Sequence, residues 1–529
     1  MPINTPLDFF VRYYGGYVQD DWRISSKMTM NYGLRYEWEP GLREDEDRIL
    51  VAFDPTVVVP LAADTGLDLH GGLRYAGQDG FPTSQGNPQK KKFSPRIGVA
   101  WSLNEKTVLR SGYGLFWAPF NYSSYAALGY QQVTNLDQSN NLTPTVTLSN
   151  PFPNGLLPPV GNANGLLTGV GGPITFNSQD RRTEHLQQYS VELQRQLGNM
   201  AVAIGYIGTR GDDLNFGTIN INQLAPEVVA QWGARLNDQV ASPFFGIAGA
   251  GAFSSARTIS RGQLLRPFPQ FGNVLQDQTT GGRSRYSGVT ARLDKRGGWW
   301  TGSFHYTRSR LDTNQYNEGN LYYTTVRQTL PLNSYNLDGE YSRSLQDLPH
   351  RIVLSPIIRL PFGEGRKWAT NGMADQIIGG WDLSVVATYE SGFPVNVVQL
   401  TDNTGSFSGT QRPNWTGTSP ATGGSAIDRL DTYLGAAAYS LAPAFTFGSG
   451  PRTDPRVRTP FRTNYDVSIS KNIPIFGGLN ADIRAEMLNA TNSPKFVNPE
   501  TRLGTAQFGK ITQQAGLMRI TQLMFRIKW

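Results

Sequence analysis

The sequence lacks cysteine altogether, has only four histidines, and contains no apolar run approaching the roughly 18 residues of a membrane-spanning helix. Without cysteine, the chain has neither disulfide bonds nor a thiolate metal site. Without a long apolar run, it has no transmembrane helix. A transmembrane β-barrel is compatible with these absences, because its alternating strands give an average composition close to that of a soluble protein.

The sequence also has only a small excess of positive over negative charge. The 48 lysine and arginine residues stand against 41 aspartate and glutamate residues, the net charge is +7, and the basic residues are scattered along the chain. Nucleic-acid-binding proteins concentrate positive charge on one face or in one segment, so no nucleic-acid partner is expected. The first residues, M-P-I-N-T-P-L-D, have neither the basic start nor the apolar core of a signal peptide.

Glycine and aromatic residues are abundant, with 58 Gly, 23 Tyr, 26 Phe and 11 Trp, and they favour strands, turns and aromatic belts. The clearest strand pattern is M-T-M-N-Y-G-L-R-Y-E-W-E at residues 28–39, in which large apolar residues alternate with smaller or polar ones. Successive side chains of a strand point to opposite faces. One face of this segment is therefore apolar, and the other carries charge.

The same period of two residues recurs in about thirteen segments. These predicted strands cover residues 9–24, 28–39, 93–103, 107–116, 185–197, 200–210, 286–295, 300–308, 351–360, 381–390, 464–473, 479–488 and 516–529. Their connections alternate between very short and very long, as do the two rims of an outer-membrane barrel. The sequence predicts an all-β fold, an antiparallel transmembrane β-barrel segment with short periplasmic turns and long extracellular loops. The loops are rich in Gly, Pro, Asn and Thr, and we expect them to be solvated.

The last predicted strand has an apolar face that ends in an aromatic residue. This face consists of Leu523, Phe525, Ile527 and Trp529, and we predict that it is a signal for assembly into the outer membrane. An odd number of strands puts the two chain ends on opposite rims, whereas outer-membrane barrels usually have an even number. We therefore expect residues 1–529 to be the C-terminal part of a larger barrel domain.

Charged residues on the polar faces of the predicted strands are the candidates for a functional site. They are Arg35, Glu37, Arg96, Arg110, Glu192, Glu390, Arg484 and Glu486. A basic residue facing lipid at the midplane costs about 2–4 kcal/mol, so we predict that this set faces the lumen. Both signs of charge occur, which leaves two interpretations open: mutual ion pairs, or direct contacts to a substrate.

Motifs of reactive or metal-binding sites are incomplete. Ser468 and Lys471 match S-x-x-K, the nucleophile pattern of penicillin-binding enzymes, but the partner motifs S-D-N and K-T-G are missing. The histidines lack zinc-ligand spacing, and the acidic run at 44–47 lacks the glycine turn of a calcium loop. The R-G-D tripeptide at 210–212 is more simply the end of a strand. The sequence therefore predicts no enzyme activity, no metal site and no cofactor.

Five segments together resemble the TonB-dependent outer-membrane receptors, specifically their Oar-like branch. They are G-G-Y-V-Q-D-D-W-R-I with N-Y-G-L-R-Y-E (15–37), F-S-P-R-I-G-V-A-W (93–101), L-P-H-R-I-V-L-S (348–355), G-G-W-D-L-S-V-V-A-T-Y-E-S-G-F-P (379–394) and R-A-E-M-L-N-A-T-N-S-P-K-F-V-N-P (484–499). The resemblance implies a barrel of about 22 strands around a globular plug, preceded by a signal peptide and a small carboxypeptidase-regulatory-like domain. Residues 1–529 contain none of these three N-terminal parts.

The resemblance also implies a function, which is the import of a large or scarce nutrient across the outer membrane of a Gram-negative bacterium. The implied partners are outer-membrane lipid, the barrel assembly machinery, an unknown extracellular substrate, and the TonB energy-coupling complex acting through the plug. A passive porin, or a structural or adhesive barrel, is the alternative.

Overall fold

The computed structural model describes residues 1–120, 125–136, 146–316, 318, 328–475 and 477–529. Thirteen long strands form one antiparallel sheet in which each strand pairs with the next along the chain. They are β1 (Tyr14–Ser25), β2 (Met28–Trp38), β3 (Lys92–Asn104), β4 (Thr107–Trp117), β5 (His185–Leu197), β6 (Met200–Asn220), β7 (Val274–Lys295), β8 (Trp300–Thr313), β9 (His350–Arg359), β10 (Trp381–Glu390), β11 (Arg462–Pro474), β12 (Asn480–Leu488) and β13 (Ile520–Lys528). The predicted all-β fold and its strand number are confirmed.

Short and long connections alternate between the two rims of the sheet, as the sequence predicted. Tight turns join β1 to β2, β3 to β4, β5 to β6, β7 to β8 and β11 to β12. The connection from β9 to β10 is longer, because it contains the helix Gly372–Ile378. The six long loops leave the opposite rim and are L1 (39–91), L2 (118–184), L3 (221–273), L4 (314–349), L5 (391–461) and L6 (489–519).

Small elements fill the long loops and the segment before β1. The α-helices in L1 and L3 are Leu61–Thr65, Pro226–Trp232 and Arg261–Leu264, and the 3₁₀ turns are Gly165–Leu167, Gly233–Asn237, Gly251–Ser255, Asp338–Glu340, Leu430–Thr432 and Ala436–Ala438. The short strands are Pro2–Asn4, Phe9–Phe10, Leu42–Glu44, Leu50–Val58, His70–Tyr75, Ser84–Gln85, Gln131–Val133, Ile174–Asn177, Gln239–Ala241, Thr258–Ser260, Ser342–Arg343, Pro394–Val395, Val398–Gln399, Asn414–Trp415, Tyr439–Ser440, Asp454–Arg458, Lys495–Phe496, Arg502–Leu503 and Gln514–Ala515. In the part of the chain that the structure describes, no helix has the length and apolar character needed to cross a membrane.

The cross-strand register gives the sheet an apolar face and a polar face. Leu34 of β2 lies directly between Val18 of β1 and Pro95 of β3, and its neighbours Tyr32 and Tyr36 share its side of the sheet. Large apolar side chains continue along this face and are exposed, among them Val18, Leu34, Ile97, Leu193, Ile204, Val289 and Leu523. An exposed apolar surface of this extent is expected of a face that meets lipid.

The hydrophobic core lies in the long loops, outside the sheet. Its largest cluster unites L1, L2, L3 and the start of β7 through Leu50, Phe53, Leu69, Leu73, Ile174, Phe176, Phe244, Phe271 and Val274. A second cluster joins L5 to L6 through Val395, Leu434, Tyr439, Phe496 and Ile511. We call these two clusters the loop cap. The expectation of solvated loops is wrong for these segments, because their apolar side chains are buried against one another.

Strands β6 and β7 are longer than the sequence predicted, and they connect the sheet to the loops. The pattern indicated strands at 200–210 and 286–295, whereas the pairing continues through register shifts up to Asn220 and down to Val274. These irregularities obscure the period of two residues. A span of about 9–11 residues crosses the membrane, so the remainder of this hairpin projects beyond it. The R-G-D tripeptide lies inside β6 and not at its end.

Strands β1 and β13 are the two edges of the sheet. Within the described residues, β1 pairs with β2 and β13 pairs with β12, and neither has a partner on its other side. Every residue of β1 is exposed, as is nearly every residue of β13. Both edge strands therefore present unpaired backbone groups.

Candidate functional site

The eight charged residues singled out in the sequence lie on the polar face of the sheet. Residues directly opposite one another in neighbouring strands point to the same side, and an unbroken series of such pairs runs from β2 to β12. The pairs that fix the candidates are Gly33–Arg96, Arg110–Glu192, Arg351–Glu390, Ser470–Arg484 and Ser468–Glu486. All eight side chains are therefore on the side opposite to Leu34.

Two ion pairs within this set lie near the edges of the sheet. In β2, the Arg35 Nε atom is 2.9 Å from Glu37 Oε1, and Arg35 also donates a 2.7 Å hydrogen bond to the Tyr13 hydroxyl. In β12, the Arg484 guanidinium is 3.1 Å from Glu486 Oε1. Both arginines are partly open to solvent, so these pairs contribute little to the stability of the sheet.

Glu390 forms an ion network with two arginines at the rim from which L5 leaves. It is the last residue of β10, and its carboxylate is 3.1 Å from Arg351 and 2.9 Å from Arg462. The Arg462 guanidinium also stacks on the ring of Phe393 at 4.5 Å. A carboxylate held by two guanidinium groups favours a fixed geometry, so this network joins β9, β10 and β11 where the sheet meets the loops.

The remaining candidates have different surroundings. The Arg96 guanidinium lies over the ring of Phe116 at 4.7 Å. Arg110 is directly opposite Glu192, and the Glu192 carboxylate accepts a 2.5 Å hydrogen bond from Gln194. The structure thus brings Arg35 to Glu37 and Arg484 to Glu486, but it distributes the eight residues along the polar face without joining them into one cluster.

A second charged cluster, which the sequence did not indicate, is buried between L4 and L5. Arg412 of L5 forms an ion pair with Glu340 of L4 and donates a 2.7 Å hydrogen bond to the Tyr316 hydroxyl. Arg452 donates to Glu318 at 2.7 Å and to the Thr313 carbonyl oxygen at 2.8 Å. These partners are 72 to 139 residues apart in the chain, so no local motif marks the cluster.

Electrostatics fix the charge states in this buried cluster. Burial raises the pKa of Tyr316 well above its ordinary value of 10.0, so its hydroxyl stays protonated and donates a hydrogen bond to Glu340. Burial alone would lower the pKa of Arg412, but the interactions with Tyr316 and Glu340 outweigh it and raise that pKa. Removing one member of a buried ion pair costs about 3–5 kcal/mol. The cluster therefore holds L4 firmly against L5.

The acidic run at 44–47 has a structural role in L1. Glu44 is fully buried, and its carboxylate accepts hydrogen bonds from the Arg48 side chain at 2.8 and 3.1 Å and from the backbone amides of Asp8, Glu46 and Arg48. Burial works to raise the pKa of Glu44, but these hydrogen bonds outweigh it and lower that pKa below its ordinary value. The carboxylate oxygens are thus occupied by donors from the protein itself.

The S-x-x-K match does not form a catalytic pair. Ser468 and Lys471 are three residues apart in β11, so their side chains point to opposite faces. The Lys471 ammonium donates a 2.5 Å hydrogen bond to the carbonyl oxygen of Gln376 in the connection between β9 and β10. A nucleophile and its base must lie within hydrogen-bond reach, and these two residues are held apart by the strand.

The predicted assembly signal lies on the outer edge of the sheet. Leu523, Phe525 and Ile527 are opposite Ala485, Ile483 and Ala481 of β12, which puts them on the apolar face. All three are exposed, and the side chain of Trp529, just beyond β13, is almost completely so. These residues form an apolar ridge along the edge strand.

The chain is similar to known outer-membrane proteins. The family model described as outer membrane beta barrel domain matches residues 3–522, and no curated protein matches the chain. Similar solved structures include the outer membrane transporter YddB from Escherichia coli (9% identity, TM-score 0.43, covering 98% of this chain and 54% of that one). Another is the siderophore receptor PirA from Acinetobacter baumannii (11% identity, TM-score 0.41, covering 98% of this chain and 45% of that one). A third is the ferripyoverdine receptor of Pseudomonas aeruginosa (9% identity, TM-score 0.41, covering 99% of this chain and 39% of that one). The chain spans about half or less of the length of these structures.

Proposed function

Since the chain belongs to the outer membrane beta barrel domain family, we propose that its strands form part of the barrel wall of a TonB-dependent receptor that imports a large or scarce nutrient, and that its long loops form the loop cap of that receptor. Family membership makes it a protein of the outer membrane of Gram-negative bacteria, and not an enzyme. The cargo, the TonB complex and the barrel assembly machinery are proposed partners. The Oar-like branch remains a prediction from the sequence segments alone.

The observation that carries this proposal is the loop cap on one rim of the sheet. Five of the six long loops contribute to its two buried clusters, and the Arg412–Glu340 pair holds L4 against L5. Binding residues are concentrated on loops that a rigid scaffold positions. Ordering such long loops costs conformational entropy, and a passive diffusion pore would gain nothing from it. A packed loop layer therefore favours selective capture over passive diffusion.

We also propose that further strands complete the wall. An edge strand in lipid leaves about half of its backbone N–H and C=O groups without partners, at several kcal/mol each. Both β1 and β13 are such edges within the described residues. We propose in addition that the polar face, with Arg35, Glu37 and Glu390, lines the lumen, and that the ridge at the β13 edge is recognised during assembly.

Energy dependence of uptake tests the import function. Cells with and without the gene are supplied with radiolabelled ferric chelates and with fluorescent oligosaccharides, in the presence or absence of a protonophore. We expect at least one probe whose uptake requires both the gene and the proton gradient. Uptake that needs the gene but survives the protonophore would identify a passive porin. Identical uptake of every probe with and without the gene would identify a structural or adhesive barrel.

The wall-completion proposal has a separate test. Residues 1–529 are refolded into lipid vesicles alone and together with the upstream part of the receptor, and the heat-modifiable folded form is quantified on gels. We expect a poor yield from residues 1–529 alone and rescue by the upstream part. A stable, protease-resistant pore from residues 1–529 alone would refute the proposal without affecting the uptake experiment.

A further inference from the structure

A group of arginines lies on the apolar face of β6, β7 and β8, near the rim from which the long loops leave. Arg210 pairs with Arg285, and Arg285 with Asp312, so these three residues form one row on the face that carries Ile204 and Val289. Arg310 and Arg308 follow on β8 at successively lower positions, and Arg308 is directly opposite Val289. Their position on the lipid-facing side distinguishes them from the candidates on the polar face.

The height of this row matches the level of the lipid headgroups. Strand β8 starts at Trp300, next to the tight turn. A strand rises about 3.3 Å per residue and tilts about 45° in a membrane barrel, so residue 312 stands roughly 28 Å above residue 300. The outward apolar band of such barrels is about 25 Å tall. Arg210 and Arg285 therefore lie just above the band, while Arg308 lies within its upper part.

Aromatic residues mark the same level independently. Tyr189 and Tyr206 pack at 6.2 Å between ring centroids on the apolar face of β5 and β6. Tyrosine is enriched where the apolar interior of a bilayer meets its headgroups. These residues lie slightly below the arginine row, as expected for a belt beneath the headgroups.

The arginines outnumber the carboxylates around them. Arg210 is 2.8 Å from Asp212, Arg310 is 2.6 Å from Asp312, and Arg283 pairs with Asp338. Arg285 and Arg308 have no carboxylate within ion-pair distance among the described residues. Two guanidinium groups, one just above the apolar band and one in its upper part, are thus left for an anion supplied from outside the chain.

A cavity opens at the upper end of this group. It has a volume of about 320 Å³ and is lined by Arg210, Asp212, Arg283, Arg285 and Tyr341. Guanidinium groups bind phosphate oxygens through paired, charge-assisted hydrogen bonds, and a tyrosine hydroxyl can add a further donor. The cavity has ample room for a phosphate group.

The row of arginines, its height in the membrane, the two arginines without a carboxylate partner and the cavity all point to an anion-binding site. We propose that the outer surface of β6–β8 binds the phosphorylated headgroup of an outer-leaflet lipid. The phosphate lies in the cavity beside Arg285, Arg308 reaches upward to a second anionic group, and the acyl chains lie against Val289 and Ile204. The proposal depends on the orientation of the barrel in the membrane and is independent of the imported nutrient.

Lipid binding by the purified full-length protein tests this proposal. Binding of a phosphorylated outer-leaflet glycolipid is measured for the wild type and for the variant Arg285→Gln/Arg308→Gln, with the dephosphorylated glycolipid and inorganic phosphate as comparison probes. Arg296→Gln, in the tight turn at the other end of the same hairpin, is the matched control. Because neither Arg285 nor Arg308 has a carboxylate partner, their replacement leaves no unpaired acid. Heat-modifiable mobility on gels checks that each variant is folded.

We expect the double variant to bind the phosphorylated glycolipid about tenfold more weakly or worse, because the change removes the two guanidinium groups that form charge-assisted hydrogen bonds to it. The control Arg296→Gln should bind the phosphorylated glycolipid as tightly as the wild type does. The double variant should bind the dephosphorylated glycolipid as tightly as the wild type does. If the double variant does not fold, Arg308→Gln alone should still weaken binding. Equal affinity for both glycolipid forms, equal loss in Arg296→Gln, or inorganic phosphate binding as tightly as the glycolipid would each overturn the proposal.

Discussion

The two faces of β2 allow a direct test of which side meets lipid. Leu34 is 43% exposed on the apolar face, six residues beyond Met28 at the tight-turn end of the strand. At about 3.3 Å per residue and a tilt of about 45°, it lies roughly 14 Å above that rim, close to the middle of a band about 25 Å tall. Leu34→Arg should therefore destabilise the inserted barrel by about 2–4 kcal/mol. Arg35→Leu removes one partly exposed ion pair and the hydrogen bond to Tyr13, and it should destabilise the barrel clearly less than Leu34→Arg does.

The assay is urea unfolding of the full-length protein in lipid vesicles, together with the fraction of heat-modifiable protein in isolated outer membranes. Leu34→Met is the control, because it keeps both the volume and the apolar character of the side chain. We expect a clear loss of inserted protein for Leu34→Arg, and near-normal assembly for Arg35→Leu and Leu34→Met. Equal defects in Leu34→Arg and Arg35→Leu would mean that β2 is buried on both sides, and they would refute the assignment of the faces.

Three further predictions follow from topology, the edge strand and the loops. Epitope tags at Asp64 and Asn414 should be labelled on intact cells and a tag at Gly297 should not; labelling at Gly297 alone would reverse the orientation. Deleting Phe525–Trp529 from the full-length protein should abolish membrane insertion, measured by heat-modifiable mobility, and normal insertion would exclude an assembly role. The lowered pKa of Glu44 means that its carboxylate stabilises L1 above pH 4.5 and loses this contribution as the pH falls through the lowered pKa. Protease resistance of L1 should decline in that acidic range in the wild type and lose this dependence in Glu44→Gln; identical pH profiles would contradict the role assigned to Glu44.

The strands of the sheet could be predicted from the sequence because the alternation of apolar and polar residues is a local pattern. Strands β5 and β10 coincide with the predicted 185–197 and 381–390, since apolar residues alternate with polar ones over much of each strand. The upper parts of β6 and β7 were missed. Residues 211–220 and 274–285 lie beyond the membrane, where no lipid enforces the alternation, and register shifts break the period.

The loop cap and the buried charges could not be predicted from local patterns. Phe53 packs against Phe176 and Phe268, which come from three different loops, and loop cores of this kind have no periodicity. The Arg412–Glu340 pair likewise depends on the folding of two loops against each other. The alternation of apolar and polar residues was enough to predict which charged residues lie on the polar face. The ion pairs that these residues form depend on the register between strands, which the alternation does not give.

The loop cap also determines the order in which the molecule can be assembled. Each wall strand pairs with the next strand in sequence, whereas the cap joins distant segments, and Gln270 of L3 donates a hydrogen bond to the His70 carbonyl oxygen 200 residues away. Contacts that close long stretches of chain form late in folding. L1, L2 and L3 leave the same rim, so we expect these three loops to cross the membrane before they pack together. The folded loop cap is then too large to re-enter the bilayer, so it keeps the inserted hairpins from leaving the membrane.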